Sequence, residues 1–138
     1  LNCTGLIAFS NVEPGSSVEG SFKVRNLGGV GSKLSWEVSD RPSWGGWSFN
    51  PSSGTDLSPD DDPVAVSVII EVPDEEYSTF PGIINITNSF DDSDWENIPV
   101  VIITVKPKIV EKVFLFRFFE ILGLFDIPFL KQIFSKFV

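Results

Sequence analysis

The chain has 138 residues, of which 42% are hydrophobic and 21% charged, a size and composition typical of one folded domain and unlike a disordered or collagen-like chain. Its 19 acidic and 10 basic residues give a net charge of −9, which excludes the basic surface of a typical nucleic-acid-binding protein. There is no histidine and only one cysteine, Cys3, so histidine-based catalysis, Cys/His zinc sites and a disulfide within the chain are excluded.

Short runs of alternating apolar and polar residues, separated by turn residues, predict seven strands before position 107. In chain order the predicted strands are 6–9, 18–25, 34–39, a short fourth strand ending at Phe49, 64–72, 83–87 and 98–105. The last of these is apolar on both faces. The phase of the third strand places Trp36 in the core. This strand count indicates a mainly β, immunoglobulin-like sandwich.

The composition changes at Pro107, which is unsuited to continuing a strand and suited to starting a helix. Residues 1–107 carry 16 acidic and 5 basic side chains, a net charge of −11, whereas residues 108–138 carry a net charge of +2. Eight of the 13 phenylalanines lie in the last 31 residues. We therefore predict a sandwich over 1–107 and a distinct hydrophobic segment over 108–138.

The C-terminal segment has apolar residues at helical spacing. This spacing predicts a helix over about 108–125, a break at 126–128 around Pro128, and a second helix over about 128–137. Its longest uncharged stretch is 121–125, so no membrane-spanning helix is expected. The predicted assembly residues on these helices are Val110, Val113, Phe114, Phe118, Ile121, Leu122, Phe125, Phe129, Leu130, Ile133, Phe134 and Phe137.

This apolar segment has to be covered. A closed sandwich already buries its inner faces against each other, so we expect the segment to make contacts between copies of the chain. Two alternatives stay open. The helices could pack on an open face of their own sandwich, or they could lie in a membrane interface.

Four stretches resemble a known group of modules. They are 12–28 (VEPGSSVEGSFKVRNLG), 34–36 (LSW), 49–55 (FNPSSGT) and 81–87 (PGIINIT). They are similar to the strands of bacterial and archaeal surface immunoglobulin-like modules, including the BACON-like and ASPM/SPD-2/Hydin-like groups. The resemblance covers about 5–106 and implies a secreted or cell-surface module used for adhesion, spacing, carbohydrate contact or assembly. The C-terminal segment lies outside it.

Several residues are candidates for modification or binding. Sequons at Asn2 and Asn85 predict glycosylation, and a chain that starts at Leu1 suggests a processed form or a fragment. Cys3 is interpreted as a small buried hydrophobe, the alternative being a link between two subunits. The candidates for stacking on sugars are Trp44, Trp47 and Trp95. The candidate ligands for calcium, in two acidic loops, are Asp60, Asp62, Asp92 and Asp94.

No nucleophile elbow or phosphate-binding loop occurs in the sequence, so we expect no enzyme and no cofactor. The predicted function is a non-catalytic subunit of an extracellular or cell-surface filament or array, with copies of itself as the partner. The alternative is an adhesin or carbohydrate-binding module attached through its C-terminal segment to a membrane surface or a larger complex.

Overall fold

The computed structural model describes residues 1–105, which form nine β-strands in two sheets. The strands are β1 (Asn2–Thr4), β2 (Ile7–Val12), β3 (Ser17–Arg25), β4 (Leu34–Asp40), β5 (Gly46–Asn50), β6 (Ser53–Leu57), β7 (Val64–Glu71), β8 (Thr79–Asn88) and β9 (Asp91–Thr104). Over this range the chain contains no helix, and hence none that could span a bilayer.

The two sheets lie against each other as in a sandwich. One has four strands in the order β1-β3-β7-β5, all antiparallel. The other has five strands in the order β2-β9-β8-β4-β6. In the five-stranded sheet β2 runs parallel to β9, and the remaining neighbours are antiparallel. The chain therefore crosses between the sheets repeatedly, so each sheet contains strands that are far apart in the sequence.

The core lies between the sheets and is built from alternating strand positions. From the four-stranded sheet, Val66, Val68 and Ile70 on β7 are fully buried. From the five-stranded sheet, Ile84 on β8 and Ile102 on β9 are equally buried. Strand residues alternate between the two faces of a sheet, so the intervening positions point outward. The mainly β prediction and the core position of Trp36, which is 1% exposed, are confirmed.

The predicted number of seven strands is wrong, because nine strands occur within residues 1–105. The two strands that the alternation pattern does not predict are β1, which has three residues, and β6, whose sequence Ser-Gly-Thr-Asp-Leu is poor in residues that favour strands. Both strands exist because a longer neighbour pairs with them. β1 pairs with β3 and β6 pairs with β4.

Strand boundaries also differ from the prediction. The first predicted strand, 6–9, extends to Val12 as β2, with a register shift after Phe9 and a positive φ of 55° at Asn11. The last predicted strand, 98–105, begins earlier, at Asp91. The boundary at Pro107, both predicted helices and every predicted assembly residue lie outside the described residues.

Candidate functional site

Aromatic side chains near the start of β5 form a connected cluster. Trp44, in the loop before β5, has its ring centroid 5.2 Å from that of Trp47 and 5.4 Å from that of Phe80. The Trp47 ring stacks on Phe49 with a centroid distance of 6.2 Å and an interplanar angle of 14°. Both tryptophans pack against the core. Aromatic pairs at these separations are stabilising, so the cluster closes this part of the sandwich.

The indole nitrogens of the cluster are both bonded within the chain. Trp44 Nε1 donates to the carbonyl oxygen of Pro81 at 2.8 Å, and Trp47 Nε1 donates to the carbonyl oxygen of Trp44 at 2.7 Å. Gly45 between them has a φ of 74°, and a Cβ there would lie 2.7 Å from the carbonyl oxygen of Glu71. Only glycine fits this turn. These bonds hold both tryptophans in place and leave neither indole N–H available to a ligand.

Trp47 also borders a cleft of about 260 Å³, although it lies opposite the fully buried Ile70 and packs against the core. Its other walls are Gly46, Ser48, Ile69 and Glu71. The Glu71 carboxylate and the Ser48 hydroxyl, beside a tryptophan, are polar partners for the hydroxyl groups of a sugar. The volume is below the roughly 300–1,000 Å³ of drug-sized sites. The Trp47 cleft therefore suits a small ligand such as a single sugar ring.

Trp95 belongs to a different surface. It lies on β9 in register with Thr87 of β8, on the outer face of the five-stranded sheet, and is 54% exposed. The Trp47 cleft lies beside β5 and β7 of the four-stranded sheet. The structure thus brings two of the three predicted stacking residues together and places the third on the opposite sheet.

Carboxylates cap turns in both acidic stretches, of which the second, predicted as a loop, is the beginning of β9. Asp61 Oδ2 accepts a hydrogen bond from the amide of Ser58 at 2.8 Å. Asp91 Oδ1 accepts from the hydroxyl of Ser93 at 2.6 Å and from its amide at 3.0 Å, and these bonds lower the pKa of Asp91. Within residues 1–105, no three His, Cys, Asp or Glu side chains are grouped to hold a metal ion. Calcium binding stays a prediction for Asp60, Asp62, Asp92 and Asp94.

The two sequons lie on different kinds of strand. Asn2 is on β1, at the edge of the four-stranded sheet, whereas Asn85 is on β8, inside the five-stranded sheet, with its Oδ1 buried and without a hydrogen-bond partner.

Cys3, next to Asn2, is a free cysteine packed against the core. Burial, followed by the charge of Glu96, raises the pKa of the Cys3 thiol to about 12. The thiol is therefore protonated and unreactive at neutral pH.

Part of the outer face of the five-stranded sheet is apolar, which the sequence analysis did not predict. We call this surface the apolar face; its residues, from β2, β8 and β9, are Ala8, Pro81, Ile83, Pro99, Val101 and Ile103. The strand register places them side by side, since Val101 lies opposite both Ala8 and Pro81 while Ile83 lies opposite Pro99. Ile83 is 53% exposed and Ile103 is 41% exposed. The apolar face carries no charge.

Apart from Trp95, the rest of the same outer face is polar. Ser39 Oγ on β4 donates to the carbonyl oxygen of Asn85 at 3.1 Å and lies 2.7 Å from Thr87 Oγ1. Glu37 and Asp40 on β4 pair with this part of β8 and are exposed. The apolar face therefore has acidic residues and hydroxyl groups beside it on the same sheet.

The outer face of the four-stranded sheet differs from the apolar face. Glu19 on β3 accepts a hydrogen bond from Ser67 Oγ on β7 at 2.8 Å, and Lys23 is exposed on the same strand. Ile69 is the one large hydrophobic residue of β7 that is exposed, at 46%. A single exposed apolar residue is normal, whereas a contiguous apolar group marks an interaction surface. The two outer faces are thus chemically unlike.

No family model matches the chain, and no curated protein matches it. Among solved structures, an ASH/PapD-like domain of human CEP192 (PapD-like domain 7) is similar over 76% of this chain and 83% of that chain, with a TM-score of 0.52 and 14% identity. This likeness supports the fold alone. Residues 1–105 form an immunoglobulin-like β-sandwich.

The structure of the Vibrio cholerae VesB protease is similar over 75% of this chain at 10% identity, with a TM-score of 0.41. The match spans 31% of the protease chain. A likeness at this level gives no information about the activity of the immunoglobulin-like domain.

Proposed function

We propose that this protein is a non-catalytic structural subunit of an extracellular or cell-surface filament or array. In this proposal the immunoglobulin-like domain belongs to the bacterial and archaeal surface modules of the BACON-like or ASPM/SPD-2/Hydin-like kind. The domain lies on the outside of the assembly, and residues 108–138 make the contacts between subunits. The partner is a second copy of the same chain.

The composition of residues 108–138 carries this proposal. The segment has 19 residues drawn from Ile, Val, Leu and Phe, including eight phenylalanines. Burying eight phenylalanine side chains corresponds to about 30 kcal/mol of transfer free energy as an upper bound. Eight charged residues spread through the same segment oppose its insertion across a bilayer. A contact with other protein surfaces buries the phenylalanines without placing the charged residues inside a bilayer.

The immunoglobulin-like domain adds two supporting features. Its core side chains lie between Ile7 and Ile102, so the sandwich has its own hydrophobic core. It also exposes the apolar face, a surface of the kind found at protein contacts. A subunit with an independent folded body and two apolar contact surfaces can form a repeating assembly when the two contacts are different.

Sedimentation velocity and negative-stain electron microscopy of the full chain test the proposal. We expect particles much larger than a 15.3 kDa monomer, with a concentration-dependent size distribution. The matched control is a chain that ends at Pro107, which we expect to sediment as a folded monomer. A full chain that stays monomeric over the whole concentration range contradicts the proposed function.

The Trp47 cleft supports a second candidate, an adhesin or carbohydrate-binding module attached through its C-terminal segment. In this case oligosaccharides are expected to quench tryptophan fluorescence in a saturable manner. Trp47→Ala is expected to abolish the saturable change. Trp95→Ala is the control, because Trp95 lies on the other sheet and its removal leaves the cleft intact. A flat titration over a broad set of glycans rejects this candidate.

A further inference from the structure

The apolar face is the strongest unexplained surface of the immunoglobulin-like domain. Its members come from three adjacent strands, and two of them, Ile83 and Ile103, are 53% and 41% exposed. Neither sandwich closure nor a ligand cleft accounts for it, because the core and the Trp47 cleft are built from other residues. A contiguous exposed apolar surface of this kind is typical of interaction sites.

Net charge distinguishes two possible partners of the apolar face, a second sandwich and residues 108–138. Residues 1–107 carry a net charge of −11, so two sandwiches that pack face to face repel each other. Residues 108–138 are rich in phenylalanine and carry a net charge of +2. The exposed acidic residues beside the apolar face on β4, Glu37 and Asp40, can attract the five basic residues of that segment. The segment is therefore complementary to this surface in both polarity and charge.

We propose that the apolar face of one copy binds residues 108–138 of a second copy. This inference rests on the proposed function and makes it more specific, because it names the surface that receives the C-terminal segment. The contact is between unlike surfaces, so each copy has one donor segment and one receiving face. Such a contact continues from subunit to subunit unless the geometry closes it into a ring or a reciprocal pair.

Cysteine cross-linking between two different chains tests the proposal. Both chains carry Cys3→Ser to remove the native thiol. One chain then carries Ile83→Cys and the other carries Phe118→Cys, with tags of different size, and the two are co-expressed and oxidised. The matched control replaces Ile83→Cys by Ile69→Cys, because Ile69 has similar exposure but lies on the four-stranded sheet.

We expect the mixed disulfide to form at least about tenfold more through position 83 than through position 69, a ratio that corresponds to about 1.4 kcal/mol. Ile83 is half exposed, so its replacement should leave the fold intact, and circular dichroism checks this. The second measurement is sedimentation velocity of the full chain. The double variant Ile83→Asp and Ile103→Asp should assemble less than the unmodified chain, while Ile69→Asp should assemble as the unmodified chain does.

The outcomes separate the two proposals. If the full chain assembles but positions 83 and 69 cross-link equally, the apolar face is not the receiving surface, and the proposed function stands without it. If cross-linking through position 83 occurs only when both cysteines are on the same chain, the segment covers its own sandwich and the proposal is overturned. If the unmodified full chain sediments as a monomer, the proposed function itself fails.

Discussion

The contact between Gly54 and Trp36 allows a quantitative prediction about the core. Gly54 lies on β6 opposite Trp36 on β4. A Cβ at position 54 would lie 2.5 Å from Trp36 Nε1 and 2.8 Å from its Cε2, distances that real Cβ atoms essentially never show. Trp36 is 1% exposed, so any movement of its ring displaces other side chains of the core. Gly54→Ala therefore has to shift either a core ring or the β6 backbone.

Two opposing effects set the magnitude. Overpacking of a core costs about 1–3 kcal/mol. Replacing a strand glycine recovers about 0.5–1 kcal/mol, because alanine loses less backbone entropy on folding. We expect Gly54→Ala to lower the free energy of unfolding by about 1–2 kcal/mol, which is about 4–10 °C in Tm for a domain of this size.

Urea denaturation followed by tryptophan fluorescence at fixed protein concentration measures this change. The control is Gly29→Ala, since no atom lies within 4 Å of a Cβ at that position and its φ is not positive. We expect this control to be neutral or more stable by up to about 1 kcal/mol. In a Trp36→Phe background the cost of Gly54→Ala should fall by about 1 kcal/mol, because the ring atoms nearest to the new Cβ are gone. The reasoning is refuted if Gly54→Ala is as stable as the unmodified chain.

Three further predictions concern buried polar groups. Asn26→Ala removes the donor to the carbonyl oxygen of Leu57 at 2.9 Å and should cost about 1–3 kcal/mol in urea denaturation; an unchanged midpoint would contradict this. Thr104→Val removes the 2.6 Å bond to the carbonyl oxygen of Glu75 and should cost about 1–3 kcal/mol, with Thr79→Val as an exposed control. Cys3, with a pKa of about 12, should react with iodoacetamide at pH 8 only after unfolding. Because the folded state keeps this proton while an unfolded thiol of pKa 9.0 loses it, stability should fall as pH rises from about 9 towards 12; rapid alkylation of the folded chain would contradict this account.

The sequence predicts those parts of the fold that depend on local pattern. β3, β4 and β7 were found because Phe22, Trp36 and Val68 alternate with polar residues, and alternation is a property of a single strand. β6 and the first part of β9 were missed for the opposite reason. Their residues favour turns, and they become strands because β4 and β8 supply backbone partners. Pairing of this kind is non-local and leaves little signal in the strand itself.

The same limit applies to the candidate site. Trp44 and Trp47 flank two glycines in the sequence, and the structure places Trp44 in a loop and Trp47 on β5. The bond that holds Trp44 reaches the carbonyl oxygen of Pro81, 37 residues away, and has no signal in the local sequence. The apolar face had one partial signal, the run of apolar residues that makes β9 apolar on both sides. Its extent became visible only when the register placed Ile83 beside Pro99.

The distribution of residues along β9 opposes strand addition at one edge of the five-stranded sheet. β2 pairs with β9 only between Val100 and Thr104, which is the apolar part of the strand. Over Asp91–Pro99, β9 forms no ladder with β2, and among the described residues this stretch is an edge. That edge contains four acidic residues within six positions. Charged side chains on an edge oppose the addition of another strand, so this stretch of β9 is a poor site for a strand of a neighbouring copy.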